Sequence, residues 1–490
     1  MLPRTVIVAI VVGTVVTFVS AFAPARRAAR VPPVAAMRDA EISAHEGSRR
    51  YWIGGGFSLL GAALLVLGLF GDVSSSDAPG GAAGLVGGAA FLMFIGVAML
   101  SPLVARPVAL LLGWFPARVR GTTGVLAREN AARNPRRTAT TAAALMIGLG
   151  LVSFVAIFGA SIKDSFAHII DDTVKADFLV TGGFEGFPSE AATAIRDALP
   201  DAQVVEFRNG SFQLDGSTKQ LLAVGPNVGD GVDIKLRPGA DLAEFADGGV
   251  LIYKDAAAEN GWKVGDQLQM RFEKTGVVPV TVQGIFDENR TVGTSYLLSL
   301  DDYESNYTDQ LDSLVAVRRP DGMSAAVAKR ALDRALKPFP TVDAKDQTQY
   351  KDDQLMQINT LLNLLYALLL LAVLIALIGI VNTLALSIHE RTRELGLLRA
   401  VGMTKAQVRT MVRDEAVIVA VFGSLLGLLV GIGFGRAIVA ALSDDGITFT
   451  VPVIQLAVFV LLAGLAGFVA GAWPAWQASK RDVLESIASE

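Results

Sequence analysis

Long apolar runs separated by short polar stretches dominate the chain. Seven of them, at about 5–22, 52–70, 83–104, 139–160, 356–388, 412–440 and 452–473, come near the roughly 20 residues that an α-helix needs to cross a bilayer. Between the fourth and the fifth lies a polar region, about 163–354, long enough to fold around a core of its own. The expected fold class is a polytopic α-helical membrane protein with about seven transmembrane helices and one α+β domain outside the bilayer.

Within the polar region the period changes. Alternating or β-rich runs at Val204–Phe207, Leu221–Val224, Val250–Tyr253, Leu268–Phe272, Val277–Phe286 and Leu314–Val317 predict strands. Helices are expected at 189–199 and 323–337. Ala256–Trp262 reads as a helix closed by Gly261, and Lys263-Val264-Gly265-Asp266 as a turn before a strand.

The fifth apolar run organises the rest. A continuous helix from Gln354 to Ser387 would be roughly 50 Å long against a hydrocarbon core of about 30 Å, so its excess must project into water. Its outer end, Asp352 to Asn359, is polar enough to do so. Its inner end meets His389 to Met403, where Gly396 and Gly402 bracket a short apolar and basic stretch, Leu397, Leu398 and Val401, suited to lying against another protein. A rod joining an outer domain to an inner docking surface suits mechanical coupling. An ordinary span followed by a positive loop explains the same residues.

Charge is sorted between these regions. The polar region holds 20 Lys/Arg and 32 Asp/Glu, a net of −12, and the remainder holds 23 and 15, a net of +8. Basic residues gather in three loops, at Arg26 to Arg50, Arg106 to Arg137 and Arg391 to Arg409, whereas the loops 71–82 and 441–451 carry aspartates and no Lys or Arg. The positive-inside rule therefore places the basic loops and the C-terminus in the cytoplasm and the acidic domain outside. The chain is expected to cross its membrane several times.

Two features of the sixth run carry packing and charge. Gly423, Gly427, Gly431 and Gly435 recur at every fourth position, a face stripped of side chains that lets another helix approach closely. Asp414 and Glu415 stand near its start, with Arg409 and Arg413 close in sequence. An interfacial ion pair with these arginines, touching the 390–403 segment, is the expected arrangement.

Chemistry of its own is not expected. No cysteine is present, which excludes disulfides and thiol catalysis, and His45, His168 and His389 are scattered. No Gly-x-x-x-x-Gly-Lys-Ser/Thr loop occurs, so the chain is not expected to bind or hydrolyse ATP itself. Zinc-helix, serine-hydrolase and dinucleotide motifs are missing too, and neither metal nor nucleic acid is expected to bind.

One repeat stands out. Pro24-Ala25-Arg26-Arg27-Ala28-Ala29-Arg30 leading to Met37 matches Pro474-Ala475-Trp476-Gln477-Ala478-Ser479-Lys480 leading to Ile487. The first run thus reads as a retained helix ending one module, most of which lies outside this sequence; a truncated reading frame or misplaced start is suspected. A signal-peptide cleavage site at Ala21-Phe22-Ala23 and chance similarity of two amphipathic tails are the alternatives.

The segment Glu390-Arg391-Thr392-Arg393-Glu394-Leu395-Gly396-Leu397-Leu398-Arg399-Ala400-Val401-Gly402-Met403 resembles the coupling segment of FtsX-like permeases, the MacB-type membrane subunits of ABC transporters. The Gly261-Trp262-Lys263-Val264-Gly265-Asp266 arrangement resembles the MacB-type periplasmic core domain, and Leu126 to Thr138, with Arg128, Asn130, Arg133, Arg136 and Arg137, the elbow helix that opens such a module. Its arginines are expected at lipid phosphates, with Val125, Leu126 and the alanines at the acyl boundary; a plain stop-transfer cluster would look alike.

The resemblance implies five parts. Residues 1–50 are the end of an incomplete first module, 51–120 a two-helix linker with a basic loop, and 121–162 the elbow helix and first span of a second module. Residues 163–354 are the core domain, and 355–490 the FtsX-like region with three spans. It further implies a non-catalytic subunit coupled to a separate ABC ATPase, which supplies ATP and Mg. Glu390, Arg391, Glu394, Leu397, Leu398, Arg399, Gly402 and Met403 would form the coupling segment. Membrane lipids and a second permease module, as a missing half, homodimer or heterodimer, are the other implied partners. Lipids, lipoproteins or peptides would be the substrates. An FtsX-type regulator that activates an extracytoplasmic hydrolase, or a membrane-anchored binding module, are the rivals.

Overall fold

The structure is a computed structural model that describes residues 3–29, 47–71, 81–183, 186–225, 227–238, 240, 242, 245, 248–287, 293–442 and 447–480. The chain divides into two compact units, Met1–Gly54 and Gly55–Glu490. In the first, α1 (Pro3–Ala28) is one helix, whose described apolar stretch, Gly13–Phe22, is shorter than a span. Most of the downstream repeat, including Met37 and Ile487, and the loops 72–80 and 443–446 lie outside the described residues.

Six helical segments among the described residues are long and apolar enough to cross a membrane, against the seven expected. They are α2 (Gly47–Phe70); α3 (Gly81–Leu112) continuing into the short α4 (Trp114–Arg120); α6 (Pro135–Thr173), which follows α5 (Thr122–Arg133); α12 (Gln347–Glu390); α14 (Lys405–Ala441); and α15 (Val453–Lys480). Helix α14 is the central member, packed against α6, α15, α5 and α3. The glycine face explains its closeness to α6. A Cβ at Gly423, Gly427 or Gly431 would stand 2.6 Å from the carbonyl oxygens of Ala142, Met146 and Gly150 respectively, and one at Gly435 2.7 Å from Ile157 Cγ2.

The α+β domain interrupts the bundle between α6 and α12. In chain order it holds β1 (Phe178–Thr181), β2 (Phe187–Pro188), α7 (Glu190–Ala198), β3 (Gln203–Leu214), β4 (Ser217–Val224), α8 (Val228–Gly231), β5 (Gly249–Tyr253) and α9 (Lys254–Asn260). There follow β6 (Gln267–Phe272), β7 (Gly276–Phe286), β8 (Tyr296–Ser299), α10 (Leu300–Asn306), β9 (Leu311–Asp312), β10 (Leu314–Arg318), α11 (Ala325–Ala335) and β11 (Asp343–Asp346). Nine strands form one mixed sheet in the order β11-β1-β10-β3-β4-β8-β5-β7-β6, and a bridge between Gln213 and Arg271 brings β6 back to the tip of β3.

Each half of that sheet has its own core. Helices α7 and α11 cover the β1, β10 and β11 end through Ile195, Ala328 and Leu332, while Phe212, Met270, Val282 and Leu298 fill the curled half. The predicted strands fall within β3, β4, β5, β6, β7 and β10, and the two predicted helices are α7 and α11. Gly261 takes the left-handed conformation, φ 71°, that closes α9, a position where the absence of a Cβ matters.

Helix α12 begins earlier than its polar lead-in suggested. Asp346, the last residue of β11, accepts the Gln349 backbone N–H at 2.8 Å while Gln349 Oε1 accepts from Asp346 N, a capping box that starts the helix inside the sheet domain. Its 44 residues run unbroken to Glu390, about 66 Å at 1.5 Å per residue.

Candidate functional site

The site is the end of the bundle remote from the α+β domain, where α12 stops and the 390–403 segment turns back into α14. Arg391 leaves helical geometry at φ −101°, ψ 18°, and α13 (Thr392–Ala400) follows at once. Gly402, with φ +113°, makes the turn that a residue with a Cβ would strain. Thr404 and Gln407 then form a capping box that starts α14.

Helix α13 has two faces. Leu395 and Gly396 are buried, Leu395 against Ala127, Ile388, Val408, Met411, Val412, Ala475 and Ala478, with Met403 half-buried at the edge. Leu398 is half-buried and lines a 370 Å³ cavity beneath the helix, together with Asn130, Arg133, Ser387 and Glu415. Leu397 and Val401 are exposed, Val401 by 89%, as is Glu394, and Arg399 is half-buried. The exposed residues Glu394, Leu397 and Val401 thus stand on the outer part of α13, and Glu394 and Leu397 also edge the cavity.

Charged residues tie this helix to the spans. Glu415, nearly buried, accepts from Arg137 Nη2 at 3.4 Å and lies 3.8 Å from Arg391 Nη1. Arg137 Nη1 is 3.9 Å from Glu390, and Arg391 Nε is 3.9 Å from Glu394. One carboxylate thus holds together the base of α6, the end of α12 and the start of α14. Removing one partner of such a buried pair leaves an uncompensated charge, which costs about 3–5 kcal/mol.

These partners correct the expectation from local sequence. Arg409 donates to Ser479 Oγ at 2.8 Å, and the Arg413 guanidinium lies 4.9 Å from the Phe468 ring centre. The reason is helical geometry: Arg413 precedes Asp414 directly and so points about 100° away, and Arg409 is off the three- and four-residue spacing that brings side chains together. Asp414 instead accepts from Arg120 at the end of α4.

The elbow helix α5 also differs from expectation on one face. Ala127, Ala131 and Ala132 are buried against protein, in clusters with Val408, Ala109 and Ile418, and do not meet the acyl boundary. Arg133 and Arg136 are exposed; Arg128 pairs with Glu129 at 3.0 Å, and Asn130 donates to Met411 Sδ at 3.7 Å.

At the opposite end of α12 a second set of contacts fixes it to α6 and the sheet. Gln347 Nε2 donates to the carbonyls of Val174 and Ala176 at 3.0 and 2.8 Å, Lys351 pairs with Asp171 at 2.5 Å, and Lys345 with Asp353 at 2.5 Å. Beside this junction lies a 220 Å³ cavity lined mainly by Phe166, Ile170, Leu179, Phe207, Val224 and Tyr350. No local sequence pattern marked it.

Deeper in the domain Arg208 is the hub of a buried network. It donates to Asp312 at 2.8 Å, Gln310 at 2.7 Å, and Glu304 and Glu206 at 3.1 Å each. Burial pushes the Asp312 carboxyl up to about 6, against the pull of the Arg208 hydrogen bond, and the neighbouring Glu206 adds to the rise. Asp312 Oδ2 is buried without a partner. The network ties β3 to β9 and α10.

Residues 366–483 match the family described as FtsX-like permease C-terminal, and residues 138–335 the MacB-like periplasmic core domain. The chain is 31% identical over 183 residues to a macrolide export ATP-binding/permease protein of Hahella chejuensis, covering 36% of this chain and 27% of that protein. A similar protein of Chromobacterium violaceum is 25% identical over 389 residues, covering 73% and 59%. An uncharacterised ABC transporter permease protein of Mycobacterium tuberculosis is 22% identical over 499 residues, covering 98% and 57%. The chain spans less than two thirds of the length of each of these relatives.

Proposed function

We propose, for a chain that belongs to the FtsX-like, MacB-type family of ABC transporter permeases, that it couples ATP hydrolysis in a separate ATPase subunit to movement of its α+β domain. The observation that carries this is the unbroken helix α12, anchored in the sheet domain by the Asp346 capping box at one end and joined to α13 through Arg391 at the other. Helix α6 runs beside it from Arg137 to the Val174 junction. A tilt of about 5° in a helix about 66 Å long carries its far end about 6 Å. The docking face is Glu394, Leu397 and Val401, with Arg391 and Glu415 transmitting its displacement.

Charge supports the orientation. The basic segments, including α13, face the cytoplasm and the acidic domain faces outward, as in a bacterial inner membrane. The apolar cavity at the helix–sheet junction supports lipids, lipoproteins or peptides with apolar groups as substrates, and weighs against a regulator that only docks a hydrolase on a flat surface.

A second permease module completes the assembly. Helix α12 is the most apolar span and the least buried, and Leu361, Leu364, Leu368, Leu371, Ile375 and Ile378 are each at least 58% exposed. They recur at alternating steps of three and four, the spacing of a helix-packing seam.

The test is copurification of the chain in nanodiscs with candidate ABC ATPases, with and without Leu397→Asp. Binding that changes the ATPase rate, and its loss in the variant, is the expected result. An ATPase that binds the variant as well as the native chain would remove α13 as the docking element.

A further inference from the structure

A third cavity, of 340 Å³, lies between α4, α14 and α15. That volume is within the range of small-ligand sites, about 300–1,000 Å³. One wall is Leu112, Phe115 and Val119; the other is Val417, Val421 and Phe468. Phe115 and Val119 are largely exposed, and α4 ends in Arg118 and Arg120, the composition of a helix lying at a membrane interface.

One carboxylate lines this apolar slot with half of its hydrogen-bonding capacity unmet. Asp414 lines the cavity with its side chain 7% exposed; Arg120 occupies Oδ1, and Oδ2 is buried with no partner. The adjacent Arg413, stacked on Phe468, has its Nε buried and unpartnered as well. Buried polar atoms are normally hydrogen-bonded, and a carboxylate left half-satisfied in an apolar wall is costly. Arg120 is 42% exposed, so its guanidinium is accessible to a further acceptor while it holds Asp414 Oδ1.

We propose that this cavity is a binding site for one aminophospholipid from the leaflet on the α13 side. An acyl segment would fill the slot, the primary ammonium would donate to Asp414, and the phosphate would accept from Arg120. An ammonium supplies N–H donors to the orphaned oxygen, whereas a choline has none and a glycerol headgroup lacks the positive charge. The match is therefore to phosphatidylethanolamine over phosphatidylcholine or phosphatidylglycerol. The assignment is independent of any substrate of the α+β domain and of any ATPase.

The experiment is native mass spectrometry of the full chain released from nanodiscs of equimolar phosphatidylethanolamine, phosphatidylcholine and phosphatidylglycerol. The expected result is one retained lipid, enriched roughly tenfold for phosphatidylethanolamine, the worth of one charge-assisted hydrogen bond. Asp414→Asn should bring the ethanolamine-to-choline ratio close to one, and Val417→Trp, which fills the slot from a half-buried position, should remove the retained lipid. Equal retention of the three lipids by the native chain overturns the proposal without reference to any variant. So does an undiminished ethanolamine preference in Asp414→Asn.

Discussion

Arg391, the residue at which the longest helix ends, lies 3.8 Å from Glu415 inside the neighbouring span, and Arg137 shares the same carboxylate. Glu415→Ala leaves two arginines facing each other in a site from which water is largely excluded. The expected cost is about 3 kcal/mol, read by thermal unfolding in nanodiscs. Arg391→Met combined with Glu415→Met should cost less than the sum of the two single changes, since both remove the same Arg391–Glu415 contact. Strict additivity would show that Arg391 and Glu415 do not act as a pair.

The glycine face of α14 gives a steric prediction with an internal control. Gly427→Val places a Cβ 2.6 Å from Met146 O and should destabilise the bundle by about 1–3 kcal/mol through overpacking. Gly433→Ala, on the same helix with nothing within 4 Å, should be neutral or stabilising by up to about 1 kcal/mol. Equal melting shifts for the two would place the close approach elsewhere.

The buried network of the α+β domain makes stability depend on pH in a direction opposite to that of most carboxylates. Because the Asp312 carboxyl is raised to about 6, the folded domain binds its proton more tightly than the unfolded chain does. Its contribution is present below about pH 4 and is lost as pH rises to about 6, by up to about 3 kcal/mol. Asp312→Asn should abolish that part of the slope. Hydrogen exchange of β3 amides at pH 4 and 7.5 measures it; an identical pH response in the native chain and the variant would contradict the assignment.

The exposed seam of α12 predicts a neighbour. The chain has no cysteine, so Leu371→Cys introduces a single thiol on that face. Mild oxidation in membranes should give a cross-linked dimer, or a cross-link to a homologous module carrying the matching thiol. Monomer throughout, with Leu368→Cys equally unreactive, would leave the seam to lipid.

Much of the molecule was legible in the sequence because the largest signals are long. A 44-residue helix with few charges in its apolar part and a glycine every four residues register without knowledge of the fold. Short strands did not register. Tyr296–Ser299 is buried on both faces and so shows no alternation, and Asp343–Asp346 is a polar edge strand recognisable only from its pairing with Phe178–Thr181. The charge pairs escaped for another reason. Arg120 with Asp414 and Arg137 with Glu415 join residues 294 and 278 positions apart, and only the packing of α4, α6 and α14 brings them together. Local spacing favoured Arg409 and Arg413, which the helix turns elsewhere.

Events at α13 should reach the helix–sheet junction through α12. The most direct measurement is hydrogen exchange of residues 166–174 and 347–351 in nanodiscs containing the partner ATPase, with and without ATP trapped by vanadate. Coupling predicts a nucleotide-dependent change in exchange at both segments, abolished by Leu397→Asp. Unchanged exchange at the junction, with the ATPase bound and turning over, would contradict it.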